Sequence, residues 1–119
     1  MHLLERYSLG CGVQISKPFI FEKFFPLNIT NYITIHTTSK DSKTYDHWQE
    51  VVDLIKPVLA KNGIEILQIG RENEKPLSGC ISILGQTNIN QVAYLLRNSL
   101  CHIGVDSFPV HIASSYDIP

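Results

Sequence analysis

Three short polar stretches hold most of the side chains in this chain that can do chemistry. The first, residues 36–43, reads His-Thr-Thr-Ser-Lys-Asp-Ser-Lys. Its hydroxyls and backbone amides can donate to phosphate oxygens, and its lysines supply point charges. The same composition also suits a solvated loop with local Ser and Thr turns. The second stretch, residues 70–75, carries Arg71, Glu72 and Glu74. A carboxylate that follows a strand can accept from ribose hydroxyls, or it can sit in an exposed charged turn. The third stretch, residues 106–111, reads Asp-Ser-Phe-Pro-Val-His. Where a helix starts, its first amides favour an anion. Asp106 can accept from sugar hydroxyls there, and His111 can donate to a phosphate from about one turn further on. Asp106 and Ser107 serve equally well as helix caps, with His111 a satisfied interior histidine.

Other chemistries find no support. The chain has no Gly-x-Gly-x-x-Gly, no Walker sequence and no Gly-x-Ser-x-Gly elbow. Its three cysteines, Cys11, Cys80 and Cys101, are odd in number and lack paired spacing. They read as buried thiols in a reducing cytosol rather than a disulfide framework. Without Cys-x-x-Cys or a histidine cluster, no structural zinc site is expected. His36 and Cys101 make no recognisable nucleophile pair, and His2, His47 and His102 have no evident ligand partners. A net charge of −1 argues against a nucleic-acid binder or a polybasic membrane anchor. No apolar run approaches the roughly 20 residues of a membrane helix. The first ten residues lack the apolar centre of a signal peptide.

The elements that must position these stretches alternate. Residues 1–31, punctuated by Gly10, Gly12, Pro18 and Pro26, read as an irregular strap with an aromatic cluster at Phe19, Ile20, Phe21, Phe24 and Phe25. A β-branched run predicts a strand over 32–37. Asp46 is placed to cap a helix to Lys61, with Trp48, Val51, Val52, Ile55, Val58 and Leu59 as its apolar stripe. Pro57 should kink that helix, and Asn62-Gly63 should stop it. Further strands are predicted over 64–69, 80–84 and 101–105. A helix over 88–98 is capped by Thr87, and a last helix begins near Pro109. Such alternation predicts an α/β fold, a Rossmann-like three-layer sandwich with a mainly parallel sheet. In that architecture ligands bind beyond the carboxyl ends of the strands, where all three polar stretches fall. A further buried strand would follow residues 116–119, so the chain reads as truncated: residues 1–31 a strap, residues 32–119 a partial domain.

Together the three stretches resemble the C-terminal, donor-binding domain of the heptosyltransferase-like family of GT-B glycosyltransferases. Residues 36–43, followed by Trp48, look like that family's first donor loop, which places Thr38, Ser39 and Lys43 at the donor diphosphate. Gln68-Ile69-Gly70 looks like the strand end before a ribose-binding acid, here Glu72 or Glu74. Residues 104–113 resemble the element Asp-Thr-Gly-x-x-His-x-Ala, with Asp106, Ser107 and His111 in register at the donor sugar and diphosphate. Phe108 stands where that element has glycine, and its side chain should narrow the diphosphate site or move the backbone amide.

The resemblance implies binding of a nucleoside-diphosphate sugar, ADP-linked by preference, and transfer to a glycan acceptor without metal or cofactor. The family's acceptor domain, which supplies the catalytic base, has no counterpart in residues 1–31. The chain is therefore expected to be inactive alone. The competing expectation is a non-catalytic interaction domain derived from such an enzyme, since fold does not dictate function. The two differ in whether Thr38, Ser39, Lys43, Asp106 and His111 converge on one cleft.

Overall fold

Strand β1 (Tyr32–His36) is buried at every position, as a strand covered on both faces must be. In the computed structural model, which describes residues 2–119, β1 is flanked by β2 (Glu65–Gln68) and β4 (His102–Gly104), and β3 (Ile81–Ser82) lies outside β2. The order is β3-β2-β1-β4 with every pairing parallel, in registers such as Ile33 with Ile66 and Ile35 with Ile103. Successive side chains of a strand point to opposite faces, and the core divides accordingly. Ile33, Ile35 and Ile66 meet Val52 of helix α2 (Trp48–Lys61) on one face. Tyr32 and Leu67 meet α3 (Ile89–Arg97) and α4 (Phe108–Ser115) on the other. The expected three-layer α/β sandwich is the result.

Burial drives this arrangement. Leu67, Leu95 and Leu96 have no exposure to solvent, and each such side chain contributes about 1.5–3 kcal/mol relative to an exposed one. Two hydroxyls inside the core find partners. The Tyr32 hydroxyl donates to the Leu95 carbonyl at 2.7 Å, and burial pushes its pKa up to about 12. Thr34, wholly buried, has its hydroxyl 2.8 Å from His102 Nδ1.

Several local expectations need correction. The start of the chain is not irregular throughout: α1 (Leu3–Cys11) is a regular helix, with a capping box between His2 and Glu5 and a close at Gly12. Gly10 lies within it. The strap proper follows. Its extended backbone sends Ile20, Phe25, Leu27 and Ile29 onto the core, and leaves Phe19, Phe21 and Phe24 outside. It is tied to α3 by Lys23 N–H to the Asn90 carbonyl at 3.0 Å and by the ion pair of Glu22 with Arg97. Helix α2 begins at Trp48, and His47, not Asp46, occupies the cap position, without a side-chain cap bond. Val58 is 63% exposed and falls outside the buried stripe. Asn88 rather than Thr87 caps α3, because Asn88 and Gln91 satisfy each other's backbone N–H reciprocally. Strand β3 shrinks to Ile81–Ser82 because it has a single neighbour and both its residues are exposed. Among the described residues, no helix is long and apolar enough to cross a membrane.

Candidate functional site

Parallel pairing brings the carboxyl ends of all four strands to one edge of the sheet. The segments leaving that edge enclose a cleft of about 1210 Å³. Every residue singled out above reaches it: Thr38, Ser39 and Lys43 after β1, Glu72 and Glu74 after β2, and Asp106, Ser107 and His111 after β4. One end of the cleft is polar. Lys43, at the close of a 3-10 turn (Asp41–Lys43), forms an ion pair with Asp106. Ser39 Oγ donates to the Asp106 carbonyl at 2.9 Å, and His111 Nε2 lies 3.6 Å from Asp106 Oδ1. The hydrogen bond from Lys43 holds the Asp106 carboxyl below the usual carboxylate range. The other end is apolar, lined by Ile69, Val92 and Ile89, the last 56% exposed.

The two glutamates of the second stretch separate by burial. Glu74 turns inward with only 5% of its side chain exposed, accepts the Arg71 N–H at 3.0 Å and lies 3.7 Å from His36 Nε2. Gly70 makes room for it, since a Cβ there would stand 2.2 Å from Glu74 Oε2. Glu72 is exposed at the cleft surface. Its backbone passes so close to Gly85 that a Cβ on Gly85 would meet Glu72 Cβ at 2.7 Å. The turn after β3 and the loop after β2 are thus locked together, with a further bond from Gly85 N–H to the Gly70 carbonyl at 2.9 Å.

At the start of α4, Ser107 takes the cap position without a side-chain cap bond. Pro109 has no N–H, and the Val110 N–H is engaged with the Ser107 carbonyl at 3.2 Å. The Phe108 amide is the helix donor left for an anion. The Phe108 ring is 44% exposed and its centroid stands 6.1 Å from that of His36.

Two residues that matter here had no site role assigned from the sequence. Gln68, wholly buried at the end of β2, donates to the Lys75 carbonyl at 2.9 Å and accepts the Leu77 N–H at 2.8 Å. It fixes the course of the loop that bears both glutamates. His36, at the end of β1, backs Glu74 beneath the cleft. The signal for both is a polar side chain inside an otherwise apolar strand run, which burial makes costly unless it is paired.

Burial lowers the pKa of His36, against the opposing pull of the Glu74 carboxylate. Burial, with His36 as a second cause, pushes His102 down to about 4. A base whose pKa falls on folding binds more protons when unfolded. Its stabilising effect is full above the ordinary value of 6.5 and is lost as pH drops toward about 4. For His102 that loss is about 3 kcal/mol across the window. Urea midpoints measured through this range should fall with pH, and His102→Gln should reduce the dependence, leaving the share that His36 contributes. A flat wild-type profile would contradict the buried neutral histidines.

A family model for glycosyltransferase family 9 (heptosyltransferase) matches residues 16–119. No curated protein matches the chain. Among solved structures, the iron-containing dodecameric glycosyltransferase TibC from enterotoxigenic E. coli H10407 superposes with a TM-score of 0.69 at 23% identity, covering 91% of this chain and 32% of that one. Heptosyltransferase TibC in complex with ADP-D-beta-D-heptose gives 0.64 at 22%, covering 79% and 27%. The E. coli heptosyltransferase WaaC with ADP gives 0.59 at 23%, covering 77% and 32%. At identities this low the likeness is one of fold, and the chain spans about a third of the length of these relatives.

Proposed function

The chain belongs to glycosyltransferase family 9 (heptosyltransferase), and on that premise we propose that its cleft binds a nucleoside-diphosphate sugar, the donor for glycosyl transfer to a glycan acceptor. The observation that carries this reading is the common cleft: three segments far apart in sequence bring hydroxyls, a lysine, a helix start and a carboxylate to one edge of the sheet. The apolar end with Ile69, Ile89 and Val92 suits a nucleobase. Glu72, exposed at the cleft surface, suits the ribose hydroxyls, whereas Glu74 braces the loop from beneath. Thr38, Ser39, Lys43 and the Phe108 amide suit the diphosphate, with His111 beside it. Asp106 and Ser107 suit the sugar. Residues 32–119 act in this reading as the donor-binding unit and residues 13–31 as the strap that packs on it. ADP is the first nucleotide to try, because two of the solved structures of similar fold hold ADP or ADP-D-beta-D-heptose.

In such a transfer an acceptor hydroxyl attacks the anomeric carbon and the diphosphate leaves with the electron pair of the broken C–O bond. Lys43 and the α4 amide face the charge that develops on the departing oxygen, where donors held in place act most strongly. In this reading the cleft serves to hold the donor, and the chain is expected to bind it without turning it over.

Calorimetric titration of the chain with ADP, UDP, GDP and CDP tests the reading. Saturable binding is expected, strongest for ADP. Lys43→Ala should weaken it about tenfold, in keeping with a charge-assisted hydrogen bond. Its side chain is 46% exposed, so the thermal midpoint should not move. A folded chain that binds none of the four would overturn the proposal.

A further inference from the structure

The polar end of the cleft holds a carboxylate where an anion is to bind. Lys43 is paired with Asp106 Oδ2, His111 faces Asp106 Oδ1, and Ser39 donates to the Asp106 carbonyl. Three groups that would meet a phosphate are all turned on one acidic residue, whose carboxylate, ionised at neutral pH as any exposed aspartate is, Lys43 stabilises further. Beside a ligand that ends in a free phosphate this charge has the wrong sign, since like charges at close range repel. Beside a ligand that carries hydroxyls beyond its phosphates it has the right one, because an ionised carboxylate only accepts hydrogen bonds.

Resting on the donor-site reading above, we infer that Asp106 makes the cleft discriminate by charge, favouring a sugar-esterified diphosphate over the free nucleoside diphosphate. A terminal phosphate has a second ionisation near a pKa of about 6, so the free diphosphate carries more negative charge at neutral pH than its sugar ester. In the ester that oxygen is bridged to the sugar, whose hydroxyls donate to Asp106. In the free diphosphate the terminal oxygens compete with Asp106 for Lys43 while facing its charge. Discrimination of this kind combines an attractive contact to one ligand with a repulsive one to the other. Its consequence for a transferase is that the spent nucleotide is held less tightly than the donor.

The test is calorimetry on the full chain with ADP and with ADP-glucose, in wild type and in Asp106→Asn, which keeps the shape and removes the charge. The variant should bind ADP about three- to tenfold more tightly, through relief of repulsion and release of Lys43, and ADP-glucose more weakly. The ratio of the two affinities should then change by at least about tenfold. Loss of affinity for both ligands in equal measure, or an unmoved ratio with both bound, overturns the inference while leaving the donor site standing. Failure of the wild-type chain to bind either ligand overturns the donor-site reading and the inference with it. Thermal melts of the variant confirm that it folds, as expected for a side chain 61% exposed.

Discussion

Leu95→Ala is expected to destabilise the chain by about 2–5 kcal/mol, the range for truncating a fully buried leucine. Leu95 has no exposure to solvent and packs with Tyr32, Leu67 and Leu96 between α3 and the sheet. Its carbonyl also receives the Tyr32 hydroxyl, so a shift of α3 into the vacated space would strain a buried hydrogen bond. A domain of this size has only about 5–15 kcal/mol in hand, and the variant should show a much lower urea midpoint. Leu54→Ala is the control. Leu54 lies on α2 and is 76% exposed, so its loss should stay within about 0.5 kcal/mol. Equal effects at the two positions would contradict the burial of Leu95 between α3 and the sheet.

Gln68→Leu should separate fold from site. The substitution keeps an apolar strand but leaves the Lys75 carbonyl and the Leu77 N–H without the partners that Gln68 supplies. An unsatisfied buried group costs about 1–3 kcal/mol, so a loss of about 2 kcal/mol or more is expected unless the loop opens to water. In either case the loop that carries Glu72 loses its anchor. Affinity for the nucleoside diphosphate should drop about tenfold, since misplaced binding groups no longer act together. Denaturation and calorimetry on the same preparation read the two effects separately. Full stability together with unchanged affinity would show that the loop is held by Gly85 and Glu74 alone.

Much of this was legible beforehand, for identifiable reasons. The strand at β1 announced itself through Tyr32, Ile33, Thr34 and Ile35, whose shapes favour a pleated, buried environment. Alternation with helices then implied parallel strands, and parallel strands implied one shared edge for the polar stretches. Boundaries were less legible. Asp46 and Thr87 are good capping residues by type, yet His47 and Asn88 hold those positions. Cap choice depends on where the chain turns onto the core, and the side chain alone does not set that. Helix α1 was missed because glycine near a helix end reads equally as breaker or as stop.

The site divides the same way. Residue type and spacing along the chain determined that Thr38, Ser39, Lys43, Asp106 and His111 would be offered at strand ends, because periodic burial fixes which ends are shared. Sequence left Glu72 and Glu74 equivalent. Only the tertiary structure separated them, by packing one carboxylate against His36 under Gly70 and leaving the other at the cleft surface. The ion pair of Lys43 with Asp106 was likewise invisible, since it joins segments on two neighbouring strands. The physical reason is range. Pattern and propensity act over a few residues, whereas the burial of a charge and the partner it finds are set by groups that meet only once the sheet has formed.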